Sequence, residues 1–300
     1  YSQLTTGKAA KIISKTASKK KAALYELLID IQKNESQIIK EEDIDWTKDH
    51  GTRIELEIEG KYQKGYQSVD QYLKQTAIVN PHLQIIYRSP KNEKFEFARA
   101  TNQLPREPKE IKPHPYGIEL GILIRMLNTT RARTLGSFLM QEFSRVGPSV
   151  TKEICEKAKL QTESKPISAV KEAENLLKAI RTTKIIAPPT DCLSPITSEL
   201  LEAGLKKEVN AEFYCSTTRP ATVYRGNPFV IECSIAYGGE LQKDEPVRIL
   251  RFANRVPLLY QKGSCAITDA IAKTNWRQYG LQQAIQLHSH GRRGELRFKA

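Results

Sequence analysis

Between Ala100 and Gly117 the chain reads A-T-N-Q-L-P-R-E-P-K-E-I-K-P-H-P-Y-G, with four prolines and no hydrophobic period. Proline fixes φ and lacks an amide donor, so neither a helix nor a central strand can cross this stretch. It separates two parts of different texture. Before it, the apolar run Ala22 to Ile31 is bounded by polar clusters, and from Arg53 to Gly60 the residues Ile54, Leu56 and Ile58 alternate with Glu55, Glu57 and Glu59. That alternation is the period of a strand with one wet face. Ser68 reads as the cap of an amphipathic helix with Val69, Tyr72, Leu73, Thr76 and Ala77 on one side, stopped by Pro81, after which Leu83 to Tyr87 resumes as strand. Strands mixed with one helix imply an α+β layer.

After the prolines, helical spacing dominates from Ile118 to Ile180. Ile118, Ile122 and Met126; Leu135, Phe138, Leu139 and Phe143; Val150, Ile154 and Ala158; and Val170, Ala173, Leu176, Leu177 and Ile180 predict four short helices. Gly147-Pro148-Ser149 reads as a stop and restart, with Gly147 just past one helix and Ser149 capping the next. Pro188, Pro189 and Pro195 mark a second linker, followed by a helix over Ser198 to Lys207. Strand signals then return. Phe229, Ile231, Cys233, Ile235 and Tyr237 alternate with Val230, Glu232, Ser234 and Ala236 up to Gly238-Gly239, with Val247 to Phe252 as the expected partner strand and Thr268 as the cap of a helix through Lys273. Lys19-Lys20-Lys21 reads as a solvated loop tip.

Composition narrows the function. Over 300 residues, 47 basic against 34 acidic side chains leave a formal charge of +13, a balance that attracts phosphate-rich partners, although it also serves solubility alone. No apolar run approaches the roughly 18 residues of a membrane span. The five cysteines, Cys155, Cys192, Cys215, Cys233 and Cys265, form no C-x-x-C pair, which points to a reducing compartment rather than a disulfide framework or zinc site. The five histidines lack metal-ligand company, with H-S-H at His288 and His290 at most a weak chelator. Tyr1 is not a methionine and no signal signature precedes Lys8, so the chain reads as a fragment. Phosphate-loop, dinucleotide-binding, zinc-protease and nucleophile-elbow signatures are all missing from the sequence.

Three basic segments carry the remaining chemistry. N-T-T-R-A-R-T, Asn128 to Thr134, lies between two expected helices, where Arg131, Arg133 and free backbone N–H groups can reach phosphate oxygens; Arg145 and Lys152 flank the next turn. The alternative is that these arginines only decorate a helix connection. Arg248, Arg251 and Arg255 in R-I-L-R-F-A-N-R-V-P suit either a buried or interface ion pair or an anion site. In Trp276-Arg277-Gln278-Tyr279 two aromatics flank one guanidinium, a setting in which the rings anchor a loop and the cation is aimed.

Longer blocks resemble a known family. K-P-H-P-Y-G (Lys112 to Gly117), R-A-R-T-L-G-S-F-L (Arg131 to Leu139), E-F-S-R-V-G (Glu142 to Gly147), Y-R-G-N-P-F (Tyr224 to Phe229) and L-R-F-A-N-R-V-P-L-L-Y (Leu250 to Tyr260) closely resemble the B subunits of DNA topoisomerase VI, and the likeness runs from Tyr1 to about Gln283. The resemblance implies an α+β chain in three parts. Residues 1–112 would be the C-terminal part of a GHKL (Bergerat) nucleotide-binding domain, 113–190 a helix-two-turn-helix domain, and 191–300 an incomplete α/β transducer with a ribosomal S5-like fold.

The family's activity follows as an expectation. ATP with Mg2+ dimerises two B subunits, and the transducer relays closure to the A subunits, which break double-stranded DNA and pass a second duplex through. The family's general-base glutamate, magnesium-binding asparagine, adenine-binding aspartate and glycine-rich lid would precede Tyr1, so this stretch alone is not expected to hydrolyse ATP. His50-Gly51-Thr52 resembles a strand-edge element near the nucleotide, which makes Thr52 a pocket candidate. Trp276-Arg277-Gln278-Tyr279 resembles a W-K-x-Y element whose lysine reaches the γ-phosphate, and Arg277 stands at the lysine position. The tail after Gln283 resembles nothing in the family, and counterparts of the transducer's last strand and long helix are not expected. The expected location is cytoplasm with nucleoid if the source is archaeal, or nucleus if eukaryotic. The competing readings are a non-catalytic B-like scaffold of a meiotic DNA-break complex and a general duplex-binding protein.

Overall fold

The computed structural model describes residues 2–32, 35–65, 67–241, 247–259, 265–280, 282–286 and 295–299. The chain divides into two compact units, Tyr1–Lys64 and Gly65–Ala300. This division falls well before the boundary expected at residue 112.

The first unit begins with a short helix, α1 (Ser2–Thr6), followed by strands β1 (Ala10–Lys15), β2 (Ala22–Asp30), β3 (Glu35–Ile44) and β4 (Gly51–Glu55). They form one antiparallel sheet in the order β3-β2-β1-β4, with a bulge between Glu26 and Leu27. Lys19-Lys20-Lys21 sits in the β1–β2 loop, as expected of a solvated tip. On one face Ile13, Ala22 and Leu24 are buried beneath Ile44 and Trp46. Register puts Ile12, Tyr25, Leu27 and Ile54 on the other face, and there Ile29, Ile38 and Ile54 are all more than half exposed. The strand expected over Arg53 to Gly60 ends at Glu55, and its apolar row, Ile54, Leu56 and Ile58, is exposed rather than covered.

The second unit opens with α2 (Val69–Val79), whose Ser68 cap is the one expected: Gln71 N donates to Ser68 Oγ at 3.2 Å. Its buried residues are Gln75, Ala77, Ile78 and Val79, while Val69 and Tyr72 are exposed. The expected face is therefore corrected to nearly the opposite side of the helix, because Ile78 and Val79 are what the chain packs against α7 (Ser198–Glu208), together with Ile196, Leu201 and Leu205. The helices meet so closely that a Cβ on Gly204 would stand 2.0 Å from the Ile78 carbonyl oxygen. After Pro81 the hairpin β5 (Ile85–Arg88) and β6 (Lys94–Phe97) follows. The proline-rich stretch then runs without regular structure to a 3-10 turn at Pro115–Gly117.

Four helices come next, as the periodicity predicts: α3 (Leu120–Thr129), α4 (Leu135–Glu142), α5 (Pro148–Ala158) and, after a 3-10 segment at Pro166–Glu172, α6 (Ala173–Thr182). Their core lies within residues 118–185 and includes Leu123, Leu127, Leu135, Phe138, Leu139, Phe143, Ile154, Leu176 and Ile180. Leu123 and Leu127 rather than Ile122 supply the inner stripe of α3. The α4–α5 connection also differs from expectation. Gly147 is itself the N-cap, at φ −102°, Pro148 starts the helix, and Ser149 lies inside it without capping; the left-handed residue is Arg145, at φ +62°. Proline at the first helical position needs no amide partner, which makes a side-chain cap one residue later redundant.

Past α7 the strands are β7 (Phe213–Thr218), β8 (Thr222–Tyr224), β9 (Asn227–Phe229), β10 (Glu232–Tyr237), β11 (Phe252–Ala253) and β12 (Val256–Pro257), then α8 (Ala266–Lys273), a 3-10 turn Trp276–Tyr279, and the antiparallel pair β13 (Gln282–Gln286) and β14 (Glu295–Lys299). β10 pairs with β7, not with Val247 to Phe252, of which only Phe252 is strand, in the β11–β12 hairpin with residues 256–257. The alternation on β10 is real but its faces are exchanged: Cys233 and Ile235 are exposed, whereas Ala236 packs with Tyr214 on the α7 side. Glu232 explains this. Its carboxylate accepts from the amides of Ile196 and Thr197, both at 2.8 Å, and from Thr218 Oγ1 at 2.8 Å, so it must point at the N-terminus of α7. Negative charge there satisfies orphan amides and complements the helix dipole. α8 starts after Cys265, with Thr268 inside it rather than at its cap.

Candidate functional site

Arg277 stands on the 3-10 turn that follows α8. The turn is fixed from both sides: Trp276 Nε1 donates to the Ile271 carbonyl at 2.9 Å, and Gly280, at φ +75°, closes it with its amide on Arg277 O at 3.1 Å. A positive φ of that size is one that only glycine adopts without strain. The Trp276 and Tyr279 rings lie 6.3 Å apart, tilted by 57°. Only the tryptophan anchors. Tyr279 is 70% exposed, which corrects the expectation that both rings hold the loop. Arg277 itself is exposed and forms no ion pair with a described residue, so it is a cation presented on a rigid turn.

Thr52, in the first unit, lies on the edge strand β4. Its Oγ1 shares a hydrogen bond with Ser14 Oγ at 3.1 Å. Register places both hydroxyls on the same sheet face as Ile12, Tyr25 and Ile54, the face that is apolar and largely uncovered. Next to it Gly51 takes φ +132°, with Trp46 the nearest atom to a notional Cβ at 3.8 Å.

Arg131 and Arg133 are exposed in the α3–α4 connection. The expectation of free amides beside them is corrected at the start of α4. Leu135 N donates to Ser164 O at 2.7 Å and Gly136 N to Thr162 O at 2.8 Å. Thr134 and Ser137 form a reciprocal capping box, and Ala132 N is taken by Thr130 Oγ1 at 3.2 Å. The start of α4 is thus consumed by the protein itself, while the exposed Arg131 and Arg133 remain open to an outside anion. Arg145 is exposed in its left-handed turn, and Lys152 is exposed beside Glu156 at 3.9 Å, an ion pair too open to immobilise it.

In the third basic segment Arg251 and Arg255 are structural, while Arg248 is exposed. Arg251 is buried, with Nε donating to Cys265 Sγ at 3.0 Å and Nη2 to Thr268 Oγ1. Arg255, at the left-handed β11–β12 turn, donates to the carbonyls of Ser194 and Pro195 at 3.1 and 3.2 Å. These bonds tie the strand segment to its neighbours through neutral acceptors; neither the ion pair nor the anion site that the sequence offered is part of them. Two of the blocks that carry the resemblance meet in space: a Cβ on Gly226, at φ +76° in Y-R-G-N-P-F, would lie 2.7 Å from Nδ1 of His114 in K-P-H-P-Y-G. His288 and His290 lie outside the described residues.

Sequence reasoning missed Glu232 and Gln75. Glu232 hides in a strand alternation that reads equally well with either face inward. Gln75 is a polar residue on the buried side of α2, and its only signal is its place two turns after Ser68.

Comparison with known proteins then bears out the resemblance. Residues 188–291 match the family described as "Topoisomerase VI B subunit, transducer", a match that continues past Gln283, where the resemblance read from the residues stops. The chain is 50% identical over 285 residues to the B subunit of type 2 DNA topoisomerase 6 from Methanococcoides burtonii, covering 94% of this chain and 46% of that protein. The proteins of the same name from Archaeoglobus fulgidus and Saccharolobus islandicus are 45% and 34% identical, each over 94% of this chain and over 47% and 54% of their own lengths. The chain therefore spans about half the length of the relatives it matches. No described helix is long and apolar enough to cross a membrane.

Proposed function

We propose that this chain, kin to the topoisomerase VI B subunits along 94% of its length, acts as the coupling half of such a protein in an ATP-dependent type II DNA topoisomerase. Nucleotide binding brings two B subunits together, and the transducer carries that closure to the A subunits that cut and pass double-stranded DNA. The observation that carries the reading is Arg277: an exposed cation on a turn locked by Trp276 and Gly280, inside the matched transducer region. A guanidinium so placed is pre-organised to meet a terminal phosphate and offers it two parallel hydrogen bonds.

Residues 1–112 are proposed as part of a GHKL nucleotide-binding domain. The uncovered apolar face of the β3-β2-β1-β4 sheet supports this, since a sheet with a wet apolar face calls for another layer. Thr52 and Ser14 lie on that face and are proposed to border the nucleotide. The Mg2+ ligands are proposed to lie in the segment that the relatives carry beyond this chain. ATP, when bound, supplies the γ-phosphate whose presence Arg277 reports. Residues 113–190 are proposed as the helix-two-turn-helix domain, and Arg131, Arg133, Arg145 and Lys152 as backbone contacts to DNA. The proposed location is the cytoplasm with its nucleoid, in keeping with archaeal relatives.

The test is supercoil relaxation by the complete A2B2 enzyme whose B subunits carry this sequence. Arg277→Ala is expected to lower ATP-dependent relaxation at least tenfold and Arg277→Lys to retain most of it. Equal rates for wild type and alanine variant remove Arg277 from the mechanism.

A further inference from the structure

Strands β7 and β10 bring two cysteines together. Register pairs Ile235 with Cys215 and Thr217 with Cys233, so the two thiols occupy diagonal positions on one face. That face is turned away from α7, because Tyr214 and Ala236, on the other side of the strands, pack with the α7 cluster. Both cysteines are exposed and neither is in a disulfide, whereas the Cys155 and Cys265 thiols are buried.

Spacing decides which chemistry is open to the pair. A disulfide needs Cβ atoms about 3.5–4.5 Å apart. Diagonal partners on antiparallel strands stand farther off, at somewhat under about 7–8 Å, so a direct S–S bond of about 2.05 Å would require the backbone to move. An ion set between the sulfurs closes that gap, because two metal–sulfur bonds of about 2.3 Å each then lie end to end. The sulfurs already feel each other: partial burial, and after it the charge of Cys215, hold the Cys233 thiol above its usual pKa. A cation between them turns that repulsion into attraction.

We propose that Cys215 and Cys233 form a two-thiolate site for a soft monovalent ion of the Cu(I) type. Thiolates select soft ions over hard ones. Zinc calls for four donors in a tetrahedron, whereas Cu(I) is satisfied by two in line. Around the pair on this face stand Phe213, Thr217, Ile231 and Ile235, which add apolar surface and a hydroxyl but no competing soft donor. On binding, two thiols give up their protons, two sulfur–metal bonds form, and the product carries one negative charge with no change of oxidation state. Arg219, whose amide donates to Ile231 O at 3.0 Å just past the end of β7, adds a positive charge at the Cys233 end. Neither Arg277 nor Thr52 belongs to this site.

Anaerobic titration of the reduced 300-residue chain with Cu(I), against a chromophoric Cu(I) chelator, tests this. One tightly held ion per chain is expected, with Cys215→Ser and Cys233→Ser each weakening it at least tenfold. Both positions are exposed, so neither substitution opens a cavity in the core. Cys192→Ser, which leaves the pair intact, is expected to bind as wild type does. A second arm treats the metal-free chain with a mild diazene oxidant and maps its disulfides, and the pair is expected to stay unlinked. The proposal is overturned if no ion binds, if either single variant of the pair keeps full affinity, or if a Cys215–Cys233 disulfide is the main oxidation product.

Discussion

His114 holds a neutral imidazole between two backbone partners. Tyr116 N donates to its Nδ1 at 3.2 Å, so the proton sits on Nε2, which faces the Ile186 carbonyl at 3.0 Å. Burial holds the ring's pKa below the usual histidine value, against the opposing pull of that carbonyl. The linkage has a definite sign. Above the unfolded pKa, about 6.5, both states are neutral and the contribution to stability is complete. As pH falls below that value the unfolded chain binds the proton first, and stability declines until the folded ring also protonates, by at most about 1.4 kcal/mol per pH unit. Between pH 7.5 and 5.5 the melting temperature should therefore fall further for wild type than for His114→Asn, which retains a capping acceptor; equal falls would remove His114 as the titrating group. At this scale the sequence was half legible. Ser68 was readable as a cap because its chemistry is local, whereas His114 and Gly226 lie more than a hundred residues apart and only the fold brings them together.

Among the elements, the α2–α7 crossing is the contact most sensitive to a single methyl group. Gly204 lets the helix approach until a Cβ would overlap the Ile78 carbonyl, and backbone cannot step aside as a side-chain tip can. Gly204→Ala is expected to destabilise the second unit by about 3 kcal/mol or more, despite alanine's better helix propensity, because overpacking against backbone outweighs a gain of about 1 kcal/mol. Urea denaturation measures it, and a neutral or stabilising result would contradict the crossing. Helix existence was legible here through the 3.6-residue period, and α3 to α6 fell where it predicts. Facing direction was not. On α2 the inner residues were chosen by α7, and on β10 by Glu232 reaching back to the amides of Ile196 and Thr197. Those are long-range partners that a local pattern cannot specify.

For the whole molecule, charge and the uncovered sheet face decide the account. The net charge of +13 is a sequence property, but the structure narrows which groups can act on DNA. The α4 amides are occupied by Ser164, Thr162 and the Thr134 box, so a contact there cannot use the helix start and draws on the exposed Arg131 and Arg133. Each phosphate contact contributes about 0.9 to the slope of log affinity against log salt for duplex DNA. Arg131→Ala/Arg133→Ala is expected to reduce that slope by about 2 and to weaken binding alike for all sequences; an unchanged slope assigns the contact elsewhere. The candidate sensor was legible as a motif, W-R-Q-Y, while its anchoring by Trp276 alone was not, because ring exposure depends on what α8 leaves uncovered.

The most direct measurement is dimerisation of a topoisomerase VI B protein carrying this sequence at the full length of its relatives, followed by sedimentation with ADP or with a non-hydrolysable ATP analogue. The account predicts that wild type dimerises with the analogue and not with ADP, and that Arg277→Ala stays monomeric with both. An alanine variant that dimerises with the analogue as wild type does would contradict it.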